Sequence, residues 1–323
     1  MAPPSLWDPV GYGEPLPLAE RFYPAGFPLT LETNSAAVVR AAAESWGEYE
    51  PTFEAPPVEV RVVVRGDPAE PPLSVPDGPA FRAQGHLLAM VLGPQNFAVC
   101  DLERSVCFAW LSEAVARNPL FAGFHFLEGM ALNCLCHRDL TPIHAACVAS
   151  GGKGILLAGE AQAGKSSLAW ACARAGLTYV ADDGVYLLRR CSDPFLIGKP
   201  QRIRFRPEVV ELLPELVHLP RLETVIGKRS FEIRTAGVPG IRTAFRCRPA
   251  RVLFLDRRSA GPAEVTPVAP EEAILRLSRT RALWEPRVWD EQEASLQRLA
   301  GLDAGILRYS LLDDAVDCIL KLA

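Results

Sequence analysis

A chain of 323 residues, 49% of them hydrophobic, has enough apolar material for a substantial core arranged as two domains or one large one. Its 34 basic residues are outnumbered by 38 acidic ones, a formal net charge of −4, so no broad basic field exists to attract nucleic acid. No apolar run approaches the roughly 18 residues of a membrane span, and "MAPPSLWDPVGYGEPLP" lacks the basic start and apolar stretch of a signal peptide; the expectation is a soluble, cytoplasmic protein with no membrane or nucleic-acid partner.

From the N-terminus, "NSAAVVRAAAESWGEY" pairs an Asn34 or Ser35 cap with apolar positions at helical spacing, and "VEVRVVVRG" alternates as a strand. "HLLAMVLG" and "NFAVCDLERSVCFAWL" predict a hairpin or meander that turns between Asp101 and Arg104. "SEAVARNPLFAGFHFLEGMALNCLCHRD" predicts two helical pieces broken near Asn118 and Pro119. The 29 prolines gather in residues 3–28, 51–79 and 194–220, which reads as loops or extended arms. Nine cysteines without a C-x-x-C, the nearest pair being Cys134 and Cys136, point to reduced thiols; Cys107, Cys147, Cys172 and Cys318 sit in apolar company, as small hydrophobes do.

Near residue 140 the texture changes. "PIHAACVAS" and "GILLAGE" predict two strands of a hairpin, "KSSLAWACARAG" a helix ended by Gly176, and "LTYVADD" and "GVYLLRR" strands on either side of a turn. "RVLFLDRR" reads as a buried strand, "EEAILRLSRTRAL" and "DEQEASLQRLAG" as helices, "GILRYSLL" as a strand and "DDAVDCILKLA" as a closing helix. With hairpins mixed among crossovers, a purely parallel sheet is not the expectation.

The stretch Gly159, Glu160, Ala161, Gln162, Ala163, Gly164, Lys165, Ser166 matches G-x-x-x-x-G-K-[ST], with Ser167 beside it, a strand before it and a helix after it. In such a loop successive backbone N–H groups face the phosphates, the glycines allow their close approach, the lysine reaches the β and γ phosphates and the serine hydroxyl binds Mg²⁺. Asp182 and Asp183 follow at the end of the next strand, where one carboxylate can serve Mg²⁺ and the other can accept a proton from an attacking hydroxyl. "DDG" is equally a strong hairpin-turn signal. His144, on the strand before the loop, can stand beside the phosphates or be an ordinary core or edge histidine. Lys199, Arg202, Arg204 and Arg206 in "GKPQRIRFRPE" read either as a grip on phosphates or an acidic acceptor, or as a solvated basic strand face.

Histidine, loop and "ADD" in this order, within "IHAACVASGGKGILLAGEAQAGKSSLAWACARAGLTYVADDGV", resemble the catalytic domain of the HPr kinase/phosphorylase-like serine kinases, over residues 143–190. The resemblance implies an α/β P-loop kinase core of the HPr kinase/phosphoenolpyruvate carboxykinase-like type over residues 126–323; residues 1–125 read from their own pattern as a smaller N-terminal α/β domain, unlike the family's usual one, for docking an acceptor or partner. The resemblance also implies ATP and Mg²⁺ as cofactors, Asp183 as general base, His144 and Lys165 as active-site partners, and Ser166, Asp182 and, through "FEIRTAG", Glu232 at the metal. "HA" stands where the family has "HG", and a P-x-R-N-like segment is missing, so the kinase half of the family's chemistry is the expectation and phosphorolysis is not. The expected reaction is transfer of the γ-phosphoryl group to a hydroxyl, foremost serine of a peptide or protein. A small-molecule acceptor such as a free amino acid, an ATPase, and a nucleotide-sensing module without transfer are the alternatives, and a homo-oligomer is compatible with all of them.

Overall fold

The computed structural model describes residues 13–67, 69, 78–191, 193–224, 229–278, 288–299 and 301–323. It is a mixed α/β structure with several sheets, divided into two compact units that meet in sequence between Arg138 and Asp139.

In the first unit a seven-stranded mixed sheet runs in the order Leu18–Phe22, Leu29–Thr33, Val58–Arg65, Val106–Ser112, Asn96–Asp101, Leu87–Leu92, Ala80–Gln84. The expected meander is there, antiparallel from Val106–Ser112 outward. Strand alternation sends Leu88, Met90, Ala98, Cys100, Cys107, Ala109 and Leu111 to one buried face. The helix Ala36–Trp46 contributes Val38, Ala41, Ala42 and Trp46 to the core. The second helical stretch breaks where expected, with the Asn118 side chain accepting from the Phe121 N–H and Pro119 opening the next turn. Its last part, Gly129–Arg138, was expected to belong to the C-terminal domain but packs with the first sheet, and the sulfurs of Cys134 and Cys107 lie 3.4 Å apart. The boundary therefore falls at residue 138 and not at 125, because a helix burying Met130, Ala131, Cys134 and Leu135 goes with the sheet that covers that face.

The second unit is built on Lys153–Ala158, Arg246–Arg257 and Asp303–Tyr309, three mutually parallel strands. Ala145–Ser150 runs antiparallel to the first of them and completes the expected hairpin, with Thr178–Ala181 on its far side. Side-chain alternation divides the core in two. Ile155, Leu157, Leu253, Leu255 and Leu307 face the helices Lys165–Arg174 and Leu312–Leu322. Leu156, Ala158, Val252 and Phe254 share the opposite face with Ala273, Ile274 and Leu277 of the helix Pro270–Ser278 and Leu296 of the helix Trp289–Gln297. Residues 279–283 of the helix expected from "EEAILRLSRTRAL" lie outside the described residues. A separate three-stranded sheet, Arg202–Phe205, Ser230–Arg234 and Leu222–Thr224, sends Ile203, Phe205, Phe231 and Ile233 into the first of these cores. All nine cysteines are free thiols, six of them buried.

The hairpin alternative for "DDG" is overturned. Thr178–Ala181 and Val185–Leu188 do not pair with each other: the first lies against Ala145–Ser150, the second between Leu140–Ile143 and Leu196–Ile197. "DDG" is a crossover between two sheet neighbourhoods and not a hairpin turn. A turn signal in neighbouring residues did not fix the strand partners, which were decided by longer-range pairing.

Candidate functional site

The three parallel strands end on the same side of the sheet, and at that carboxyl edge the chain from Lys153–Ala158 enters the loop Gly159–Ser166. Gly164, at φ +92°, is the residue from which the helix Lys165–Arg174 starts, and Gln162 is also left-handed at φ +73°. A β-carbon on Gly159 would come within 2.9 Å of the Ala163 β-carbon, so the loop closes only around glycine. Glu160, Ala161 and Gln162 are exposed at the tip, whereas Lys165 is 7% exposed. Its ammonium donates to the carbonyls of Gly159 at 2.8 Å and Glu160 at 3.0 Å. Burial lowers the Lys165 pKa from the ordinary lysine value, and the Asp183 carboxylate pulls the other way.

His144 lies exactly where its strand changes partner: Ile143 is opposite Val185 and Ala145 is opposite Ala158. The Asp182–Gly184 crossover makes the complementary change, since Ala181 is still paired beside Ala145–Ser150 and Val185 beside Leu140–Ile143. The two switches bring His144 Nδ1 to 2.9 Å from the Asp183 carbonyl oxygen and 3.3 Å from Asp183 Oδ1. With its proton on Nδ1 the ring donates to that carbonyl. Both side chains keep solvent contact, His144 at 41% and Asp183 at 75% exposure, so an incoming group can reach the carboxylate.

Asp182 has a different environment. It is half-buried, and its Oδ2 accepts a hydrogen bond from the Arg204 backbone N–H at 2.8 Å. Burial raises its carboxyl pKa from 3.8 to about 7; the Arg204 N–H opposes this and the Asp183 charge adds to it. Burial, followed by the charges of Asp182, Asp183 and Glu232, pushes the neighbouring Tyr179 phenol well up, so all three carboxylates act on one point.

Glu232 is brought to the neighbourhood, though not as an open metal ligand. It stands opposite Arg204 in the strand register, with Oε1 taken by the Arg204 guanidinium at 2.8 and 3.2 Å and Oε2 by Arg202 at 3.3 Å. Burial pushes its carboxyl up, but the two guanidiniums outweigh burial and leave it below the usual value. The expected basic cluster is therefore in part an ion-pair network: Arg202 and Arg204 are tied to Glu232, because Ile203 and Phe205 on the alternate positions are committed to the core.

Among the described residues no group of three or more His, Cys, Asp and Glu is arranged to hold a metal ion. Mg²⁺ demands few protein ligands, because it keeps waters and takes phosphate oxygens. The Ser166 hydroxyl at the helix start and the Asp182 carboxylate, whose burial a divalent cation would offset, suit that pattern; Glu232, with both oxygens engaged, does not. Also among the described residues, no helix is long and apolar enough to cross a membrane.

Sequence reasoning missed two participants. The Arg204 main chain holds Asp182, and the Tyr309 hydroxyl donates to the Ala163 carbonyl at 3.0 Å. Tyr309 is too distant in sequence from the loop for any local signal to have announced it.

No family model matches the chain, and no curated protein does. Among solved structures, the Hpr(Ser) kinase/phosphatase from Coxiella burnetii is similar at 13% identity, over 56% of this chain and 90% of that chain, with a TM-score of 0.30. A likeness that distant says nothing about activity, which has to be read from the chain's own residues.

Proposed function

We propose that the second unit is an ATP-dependent kinase that holds the triphosphate in the loop Gly159–Ser167 and transfers the γ-phosphoryl group to a hydroxyl, foremost the serine of a peptide or protein. The observation that carries this reading is the position of Asp183. Its carboxylate is exposed, touches His144 and is close enough to act on the charge of Lys165, which is where a base must stand if an acceptor is to meet a phosphate held by the loop.

In this reading Lys165 exchanges the carbonyls of Gly159 and Glu160 for phosphate oxygens, and the loop N–H groups and the start of the helix Lys165–Arg174 meet the remaining negative charge. Asp183 takes the proton of the acceptor hydroxyl as its oxygen bonds to the γ phosphorus and the bond from that phosphorus to the leaving ADP breaks. His144 orients the Asp183 segment through Nδ1. Ser166 and Asp182 would hold Mg²⁺, which supplies neutralisation of the phosphate charge when bound.

The test is incubation with labelled ATP and a panel of serine peptides, proteins and free amino acids, read by mass spectrometry, for the parent and Asp183→Asn. Phosphorylated acceptor with the parent and its loss with the variant is the expected result. ATP binding with no transfer to any acceptor favours a nucleotide sensor, and phosphate release without an acceptor favours an ATPase.

A further inference from the structure

The central parallel strands bring a residue to the loop from the far end of the chain. Tyr309 is the last residue of Asp303–Tyr309, opposite Arg257, at the same carboxyl edge of the sheet as the loop. It is 2% exposed, and its ring belongs to the core that packs the helix Lys165–Arg174. A phenol has one proton to donate, and this one goes to the Ala163 carbonyl at 3.0 Å. Burial raises the phenol's pKa, with Arg257 tempering the effect, so the hydroxyl stays a donor at neutral pH.

We infer that Tyr309 is a positioning residue of the phosphate loop, holding the Ala163–Gly164 peptide with its carbonyl turned toward the protein and its N–H turned away. The reasoning is geometric. In a planar trans peptide the carbonyl and the following N–H point in opposite directions. Fixing the Ala163 carbonyl on Tyr309 therefore fixes the direction of the Gly164 N–H, one of the donors an anion in the loop would use. Lys165 takes the carbonyls of Gly159 and Glu160, so three carbonyls of the loop have named side-chain partners.

The hydroxyl also sets the residue at position 164. A β-carbon there would lie 2.6 Å from Tyr309 Oη but 3.9 Å from Cζ, the next nearest atom. Glycine is thus required twice over, by its φ of +92° and by the oxygen that occupies the space of a side chain. Removing that oxygen leaves only ordinary van der Waals contact.

The inference rests on the reading of the loop as a nucleotide site, and the experiment separates the two. Affinities for ATP with Mg²⁺ and for inorganic tripolyphosphate are measured by calorimetry, below the melting point of each variant, for the parent, Tyr309→Phe, Gly164→Ala and the double variant. Tyr309→Phe keeps the ring and removes one hydrogen bond, so both ligands should bind about 2- to 10-fold more weakly. A merely structural role would lower the melting temperature and leave affinity unchanged. Gly164→Ala should bind more weakly still, and adding Tyr309→Phe should restore at least about twofold relative to additivity, since the clash is removed while the φ strain stays. Parent-like affinity in Tyr309→Phe, or additivity in the double variant, overturns the inference; if Gly164→Ala does not fold, the Tyr309→Phe affinity decides alone. Failure of the parent to bind either ligand overturns the nucleotide-site reading itself, and the inference with it.

Discussion

Replacing Asp182 by asparagine should stabilise the metal-free protein, and by an amount that depends on pH. The carboxyl is half-buried, accepts the Arg204 N–H, and has its pKa raised by burial from 3.8 to about 7. Asparagine keeps an acceptor for that N–H and cannot ionise. Below about pH 4 the aspartate is protonated in both the folded and the unfolded chain, so it imposes no ionisation cost. Between about pH 4 and 7 the unfolded chain releases the proton and the folded chain keeps it, so the parent loses stability as pH rises, and above about pH 7 the loss is complete. About three pH units at about 1.36 kcal/mol each give at most about 4 kcal/mol. The advantage of Asp182→Asn over the parent should therefore grow by up to that amount between pH 4.5 and 8 and then level off. Urea dependence of hydrogen exchange in peptides containing Thr178–Ala181, with a chelator present, reports the second unit separately from the first. A difference that stays constant with pH, or a variant less stable than the parent at pH 8, would refute an uncompensated carboxyl at this position.

Three further substitutions divide the roles in the site. Asp183→Asn should leave ATP affinity within about twofold of the parent and reduce transfer to a hydroxyl by about 10² to 10⁴, the usual contribution of a general base; single-turnover transfer measurements check it, and intact transfer removes Asp183 as the base. Lys165→Ala should abolish measurable ATP binding while circular dichroism shows the fold retained, because the loop loses its fixed cation; parent-like affinity in a folded variant would end the loop assignment. Glu232→Gln removes the charge that Arg202 and Arg204 share and should cost about 1 to 3 kcal/mol in urea unfolding, Arg204 keeping some solvent contact. Its Mg²⁺ titration should match the parent's, and a shift larger than that of Asp182→Asn would restore Glu232 to the metal.

The strand–loop–helix frame around Gly159–Ser166 was legible from the sequence because its signals are local: an apolar strand, two glycines at a fixed interval, a lysine and a serine opening a helix. The same holds for the helices and for most strands, whose period of burial is written in neighbouring residues. "DDG" marks the limit of such reading. Its turn chemistry is compatible with a hairpin, and only the competition for strand partners moved Thr178–Ala181 and Val185–Leu188 apart and so carried Asp183 to His144. The ownership of the helix Gly129–Arg138 was decided in the same way, by which sheet could cover Met130 and Cys134. Glu232 carried a motif that suited a metal, yet cross-strand register set it against Arg204, whose guanidinium engages its Oε1. Tyr309 had no signal at all. Its hydroxyl reaches Ala163 because parallel strands bring the ends of distant segments to one edge of the sheet, a juxtaposition that burial of the core imposes and local sequence does not encode.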